Sequence, residues 1–196
     1  MVIINKFITP IIWCGASYPL IWLFWAFHSN NLSANPIEFV NRYLGETALK
    51  LLLITLAITP LRIITGWKPI VQVRRLIGLL GFFYATLHLS FYIGVEQFFD
   101  WGLIFSDLIK RTYISVGFIA FVILIPLGLT SSKAVKKFIG PKKWKLLHQG
   151  LYISAFLACV HFFMMRKGIQ LEPLYYFGVL GLLFLIRILN YIKFKF

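Results

Sequence analysis

Residues 76–97 read LIGLLGFFYATLHLSFYIGVEQ, and the fold is decided there. From Leu76 to Val95 the stretch holds no lysine, arginine, aspartate or glutamate. Its one ionisable break is His88, inside Tyr84-Ala85-Thr86-Leu87-His88-Leu89-Ser90. An apolar run of about 20 residues is long enough to cross the hydrocarbon core of a bilayer as a helix. Arg74-Arg75 stand before it and Glu96 closes it, so charge is confined to its ends.

The same reading extends outward along the chain. Apolar runs over 7–27, 47–66, 112–130, 146–165 and 174–192 join 76–97 to predict six transmembrane helices. Trp67-Lys68-Pro69 separates the second from the third, and Gly168 to Pro173 the fifth from the sixth. Composition agrees: 60% of the 196 residues are hydrophobic and only 13% are charged, against about 25% charged in soluble domains. The predicted class is an all-α integral membrane bundle forming a single domain over residues 1–196. Lys6 and the long apolar run behind it, with no small-residue cleavage site, predict a retained first span rather than a signal peptide. Cys14 and Cys159 fall inside apolar runs with no CxxC or CxxCH pattern, so they read as small buried hydrophobes.

The net charge of +14 would suit nucleic acid if it were spread over one surface. It is instead gathered in short segments between apolar runs, the pattern of the positive-inside rule. With the N-terminus in the cytoplasm, that side receives Lys6, Arg62, Lys68, Arg74, Arg75, Lys133, Lys136, Lys137, Lys142, Lys143, Lys145, Arg187, Lys193 and Lys195. Arg42, Lys50, Lys110, Arg111, Arg166 and Lys167 fall outside, as do all six acids, Glu38, Glu46, Glu96, Asp100, Asp107 and Glu172. Both termini are therefore expected in the cytoplasm, and nucleic acid is excluded as a partner. The outer loops, about 19 residues after span one and about 14 after span three, are too short to be catalytic domains. Soluble chemistry must then belong to a partner.

The histidines carry the chemistry. Ionisable residues within membrane spans are costly and mark function by default, and neutral imidazole is a preferred ligand of haem iron. His88 lies 13 residues beyond Arg75, and His161 13 residues beyond His148; at 1.5 Å per residue both are about 20 Å from the cytoplasmic side. At equal depth in the outer half, His88 and His161 are the expected axial pair for one haem. Ser154, Ala155, Ala158 and Gly81 leave room for a flat macrocycle or allow close helix packing. Tyr84 and Tyr92 share the face of His88. His148 stands near the cytoplasmic start of span five, at the level of Arg74. It is a further candidate cofactor or metal ligand without an obvious second histidine. Arg74 and Arg75 are candidates for a haem propionate or flavin phosphate, or else anchors at the interface. His28, beside Ser29-Asn30-Asn31, reads as interfacial.

A series of short stretches makes the chain resemble a known family. They are Leu32-Ser33-Ala34-Asn35-Pro36, Gly45-Glu46-Thr47-Ala48-Leu49, Ile58-Thr59-Pro60-Leu61-Arg62, Arg74-Arg75-Leu76-Ile77-Gly78-Leu79, Ala85-Thr86-Leu87-His88, Thr130-Ser131-Ser132, Trp144-Lys145-Leu146-Leu147-His148 and His161. In order and spacing the series is similar to the MsrQ family of haem-binding membrane subunits, within the ferric-reductase-like transmembrane superfamily. The resemblance implies a bacterial inner-membrane electron carrier with haem b and FMN. It implies a cytoplasmic flavin reductase or membrane quinol as donor. It also implies a periplasmic molybdopterin enzyme as acceptor, which reduces methionine sulfoxide in oxidised proteins. By position, His88, His148 and His161 match the family's haem-associated histidines. The chain departs from larger superfamily members in having no appended flavin and nicotinamide domain, and it lacks a fourth histidine partner.

On this reading electrons enter at the basic face made by Lys133 to Lys145, Arg74, Arg75 and His148, and leave near the outer segment from Glu96 to Asp107. Two other readings compete. One is a haem-b subunit that oxidises quinol for a different outer enzyme. The other is a small proton-coupled transporter, for which Pro60 and Pro126 would mark broken helices.

Overall fold

The structure is a computed structural model that describes residues 7–165 and 170–195. Of the charges used for orientation, Lys6, Arg166 and Lys167 lie outside the described residues, as does Gly168. Nine α-helices are described: α1 (Thr9–His28), α2 (Pro36–Thr65), α3 (Arg74–Phe91), α4 (Trp101–Lys110), α5 (Thr112–Leu129), α6 (Lys133–Ile139), α7 (Pro141–His148), α8 (Gly150–Met165) and α9 (Leu171–Lys195). A 3-10 helix (Lys68–Val73) leads into α3 and a π-helical turn (Tyr92–Glu96) continues it. No strand occurs among the described residues. Six stretches are long and apolar enough to cross a membrane: Thr9–His28, Pro36–Thr65, Lys68–Glu96, Thr112–Leu129, Pro141–Met165 and Leu171–Lys193. The chain is a multi-pass membrane protein.

Two antiparallel hairpins form the centre. In the first, α2 and α3 pair over their length. Arg74 reaches the Thr59 hydroxyl at 3.5 Å near one end, and the His88 ring meets the Asn41 carbonyl at 2.9 Å near the other. Midway, a Cβ on Gly81 would come within 3.1 Å of the Leu52 side chain. Gly81 thus serves the close approach of two helices rather than room for a macrocycle. In the second hairpin, α5 pairs with α7 and α8. The Trp144 indole N–H donates to the Thr130 carbonyl at 2.9 Å, the Ser154 hydroxyl to the Ala120 carbonyl at 2.8 Å, and the His161 ring meets the Tyr113 carbonyl at 2.7 Å.

The hairpins and α9 share a core of Leu49, Leu52, Leu53, Leu56, Leu124, Leu151, Ala155, Phe162, Tyr176 and Leu180. α1 leans on the first hairpin, where the buried Tyr84 hydroxyl donates to the Ala16 carbonyl. Tyr84 therefore faces α1, although it shares a side of α3 with His88. Large apolar residues such as Ile11, Phe24, Ile64, Leu129 and Leu185 are exposed. That outer coat suits contact with acyl chains.

Segments read as loops in the sequence are helical, among them α6 between the fourth and fifth expected spans. α2 starts at Pro36, eleven residues before the expected 47. The Asn35 side chain accepts from the Glu38 amide at 3.4 Å, Pro36 takes the first helical position and Glu38 the first turn. Cap, proline and acid together start a helix well before the apolar run begins. The outer connection after α3 likewise contains α4, capped by Asp100, whose side chain accepts from the Leu103 amide at 3.0 Å. Phe98 and Phe99, at φ 47° and 60°, turn the chain sharply into it. Bulky side chains rarely adopt that backbone conformation. Pro60 and Pro126 lie within continuous helices, so neither breaks its span.

α4 is pinned at Asp107. That carboxylate accepts from the Tyr92 hydroxyl at 2.9 Å and the Gln97 amide at 3.4 Å, and pairs with Arg111 at 3.0 Å. It joins the end of the first hairpin to the start of the second. Asp107→Asn is expected to cost about 1–2 kcal/mol, read as a lower Tm of the full chain in detergent. Arg111→Ala should cost less, since that side chain is 51% exposed and its pair is screened. An unchanged Tm for Asp107→Asn would show that α4 is held by its apolar contacts alone.

Candidate functional site

Between the two hairpins lies a cavity of about 710 Å³, a size suited to a cofactor. His88 and His161 both line it, with ring centroids 6.2 Å apart and ring planes at 64°. The expected juxtaposition is present: α3 and α8 bring these imidazoles together from opposite walls. Ala85, Leu89, Gly117, Phe121, Leu124 and Ala158 make the wall largely apolar, and Trp101, Ile104, Phe105 and Leu108 of α4 close one side.

Both rings are oriented by the main chain. The Nδ1 of His88 lies 2.9 Å from the Asn41 carbonyl oxygen, and that of His161 lies 2.7 Å from the Tyr113 carbonyl oxygen. A carbonyl oxygen only accepts, so each Nδ1 carries the proton and each Nε2 keeps its lone pair. This is the orientation in which histidines ligate metals, the second nitrogen donating to a neighbour that fixes the tautomer and raises ligand basicity. Ring centroids 6.2 Å apart leave room for one metal ion between the two imidazoles, so His88 and His161 would be the residues to hold an iron there.

Two glycines make room for the rings. A Cβ on Gly117 would lie 2.7 Å from Nδ1 of His161, and one on Gly45 would lie 3.0 Å from Cε1 of His88. Sequence reading did not single out either glycine for this role. The available signal was the antiparallel pairing of α5 with α8, which sets Gly117 opposite His161. Asn41 was also missed, because the span was begun six residues too late to contain it. Its carbonyl serves His88 while its side-chain amide donates to Glu96 at 2.7 Å.

The other candidates lie elsewhere. Of the small residues, Ser154 and Ala158 line the cavity, whereas Ala155 is buried in the core. Tyr92 lines it too. His148, at the far end of the second hairpin, does not; its ring stacks on Trp144 at 3.8 Å, and its Nδ1 meets the Trp144 carbonyl at 3.0 Å. Arg74 is half-buried and close enough to His148 to act on it electrostatically, while Arg75 is exposed. His28 is exposed and packs against Phe24 at 4.8 Å. Among the described residues, no group of three or more histidine, cysteine, aspartate or glutamate side chains is placed to hold a metal ion.

Residues 44–159 match the family described as "Ferric reductase like transmembrane component". His88 and His148 fall inside that match, and His161 lies two residues past it. The chain is 45% identical over 175 residues to the protein-methionine-sulfoxide reductase heme-binding subunit MsrQ of Rhodospirillum rubrum, covering 89% of this chain and 84% of that protein. It is 40% identical to the MsrQ of Herminiimonas arsenicoxydans, over 82% of this chain and 74% of the relative. The magnetosome protein MamZ of Magnetospirillum gryphiswaldense is 39% identical over 85% of this chain, but the match spans only 27% of MamZ.

Proposed function

Because the chain belongs to the ferric-reductase-like transmembrane family and, within it, to the MsrQ subunits, we propose that it carries electrons across the bacterial inner membrane through haem b. The reading makes the whole chain a single domain with both termini in the cytoplasm. One observation carries it: two imidazoles of fixed tautomer come together in an apolar cavity with room for one iron between them.

When bound, haem supplies a one-electron couple whose potential follows its axial ligands and surroundings. The chain's own residues do the rest. His88 and His161 hold the iron, and the Asn41 and Tyr113 carbonyls keep both rings aimed and electron-rich. The apolar wall and α4 exclude water from the site. The basic segment from Lys133 to Lys145 attracts an acidic donor or an anionic flavin. The donor is a cytoplasmic flavin reductase or membrane quinol. FMN is proposed to bind beside Arg74 and His148, with Arg74, which turns inward, better placed than Arg75. The acceptor is a periplasmic molybdopterin-dependent methionine sulfoxide reductase, docking near the outer segment from Glu96 to Asp107. It carries the catalytic site and repairs oxidised proteins.

A dithionite-reduced minus oxidised spectrum of the purified chain tests the proposal. A b-type band with about one or two haems per chain is the expected result, and its absence ends the reading. The partial match to the larger MamZ places a similar module within a different protein and favours one second reading, a quinol-oxidising subunit for a different outer enzyme. Co-purification from native membranes separates the two by which soluble enzyme accompanies the chain.

A further inference from the structure

Arg187 does not behave as a topology charge. It lies six residues inside the Leu171–Lys193 span, about 9 Å from its end, and its side chain turns into the bundle. One Nη donates to the Leu56 carbonyl, and the guanidinium stands over the Tyr152 ring at 4.9 Å. Its Nε and other Nη are buried with no hydrogen-bond partner among the described residues. Arg74, a second guanidinium, reaches the hydroxyl of Thr59, one turn along α2 from the Leu56 carbonyl that Arg187 holds. Arg74 has only the Thr59 hydroxyl at 3.5 Å, and no carboxylate pairs with either arginine among the described residues.

Two guanidinium groups held one turn apart along α2, with buried donors of Arg187 left over, are suited to an anion. An unpaired buried cation is strongly unfavourable, and intramembrane arginines mark ligand sites. The planar guanidinium is suited to carboxylate and phosphate oxygens. Tyr152 lies four residues after His148, so these groups adjoin the second histidine level.

We propose that Arg187 and Arg74 form a receptor for the anionic oxygen group, carboxylate or phosphate, of a ligand lying along Tyr152 toward His148. The proposal deepens, and rests on, the reading that a cofactor is seated on this side of the bundle.

The test compares acid-bearing probes with neutral twins on the full chain in phosphatidylcholine nanodiscs. FMN is paired with riboflavin, read by flavin fluorescence. Haemin is paired with its dimethyl ester, read by Soret difference spectra. The acid member of at least one pair should bind about tenfold tighter, the effect of one charge-assisted hydrogen bond. Arg187→Gln should abolish that preference and Arg187→Lys should keep part of it. A preference that disappears in nanodiscs containing phosphatidylglycerol identifies a lipid phosphate as the resident anion. Equal binding of the twins to the wild-type chain, or no binding of either, overturns the proposal even if Arg187→Gln fails to fold. So does a preference that survives in Arg187→Gln. Failure here leaves the His88/His161 haem band intact, whereas loss of that band alone defeats the electron-transfer reading and spares this one.

Discussion

Replacing His161 with alanine is expected to weaken haem binding in the outer cavity by at least about a hundredfold. Loss of a partner that merely orients a ligand already costs 10–100-fold in metal affinity, and this change removes the ligand itself. It also removes the ring's hydrogen bond to the Tyr113 carbonyl, 2.7 Å away. His88→Ala should act alike through the Asn41 carbonyl, while His28→Ala, at an exposed ring, should leave haem content unchanged. Haem per chain and the reduced b-type band measure all three. Full haem retention in both His88→Ala and His161→Ala would defeat the assignment of the axial pair.

The second large effect belongs to a residue with no functional group. Gly117→Ala puts a methyl 2.7 Å from Nδ1 of His161 and 2.9 Å from its Cε1, closer than side chains pack. The ring must leave the Tyr113 carbonyl or α5 must retreat from α8. If the ring moves, affinity should fall by about 10–100-fold, as for a lost orienting partner. If the helix moves, stability should fall by about 1–3 kcal/mol, as for other overpacked sites. Haem titration and Tm distinguish the routes. Gly45→Ala, with a 3.0 Å approach to His88, should be milder. Gly178→Ala, where a Cβ meets nothing within 4 Å, should be neutral. A Gly117→Ala chain with normal haem affinity and normal Tm would show that the α5–α8 approach is looser than described.

Much of this arrangement was legible in the sequence, for a physical reason. Hydrocarbon tolerates few structures, so runs such as 76–97 dictate spanning helices directly. A constant rise per residue then let depth be counted, and His88 and His161 met as expected. The failures arose where local chemistry acts without hydrophobicity. Asn35-Pro36 starts α2 in polar sequence, and Asp100 starts α4 inside what seemed a loop. Arg187 counted as one more interfacial cation, because a linear pattern does not say which way a side chain turns. Gly45 and Gly117 were obscure since their meaning lies in another helix.

That both imidazoles lean on main-chain carbonyls has a consequence for how such a protein diverges. No single codon change deletes a backbone oxygen, so the tautomer of each ligand is insulated from mutational drift at positions 41 and 113. Residue identity at those two sites should wander among relatives while the helical registers that present the carbonyls stay fixed. Insertions or deletions within α2 or α5, by contrast, should be purged.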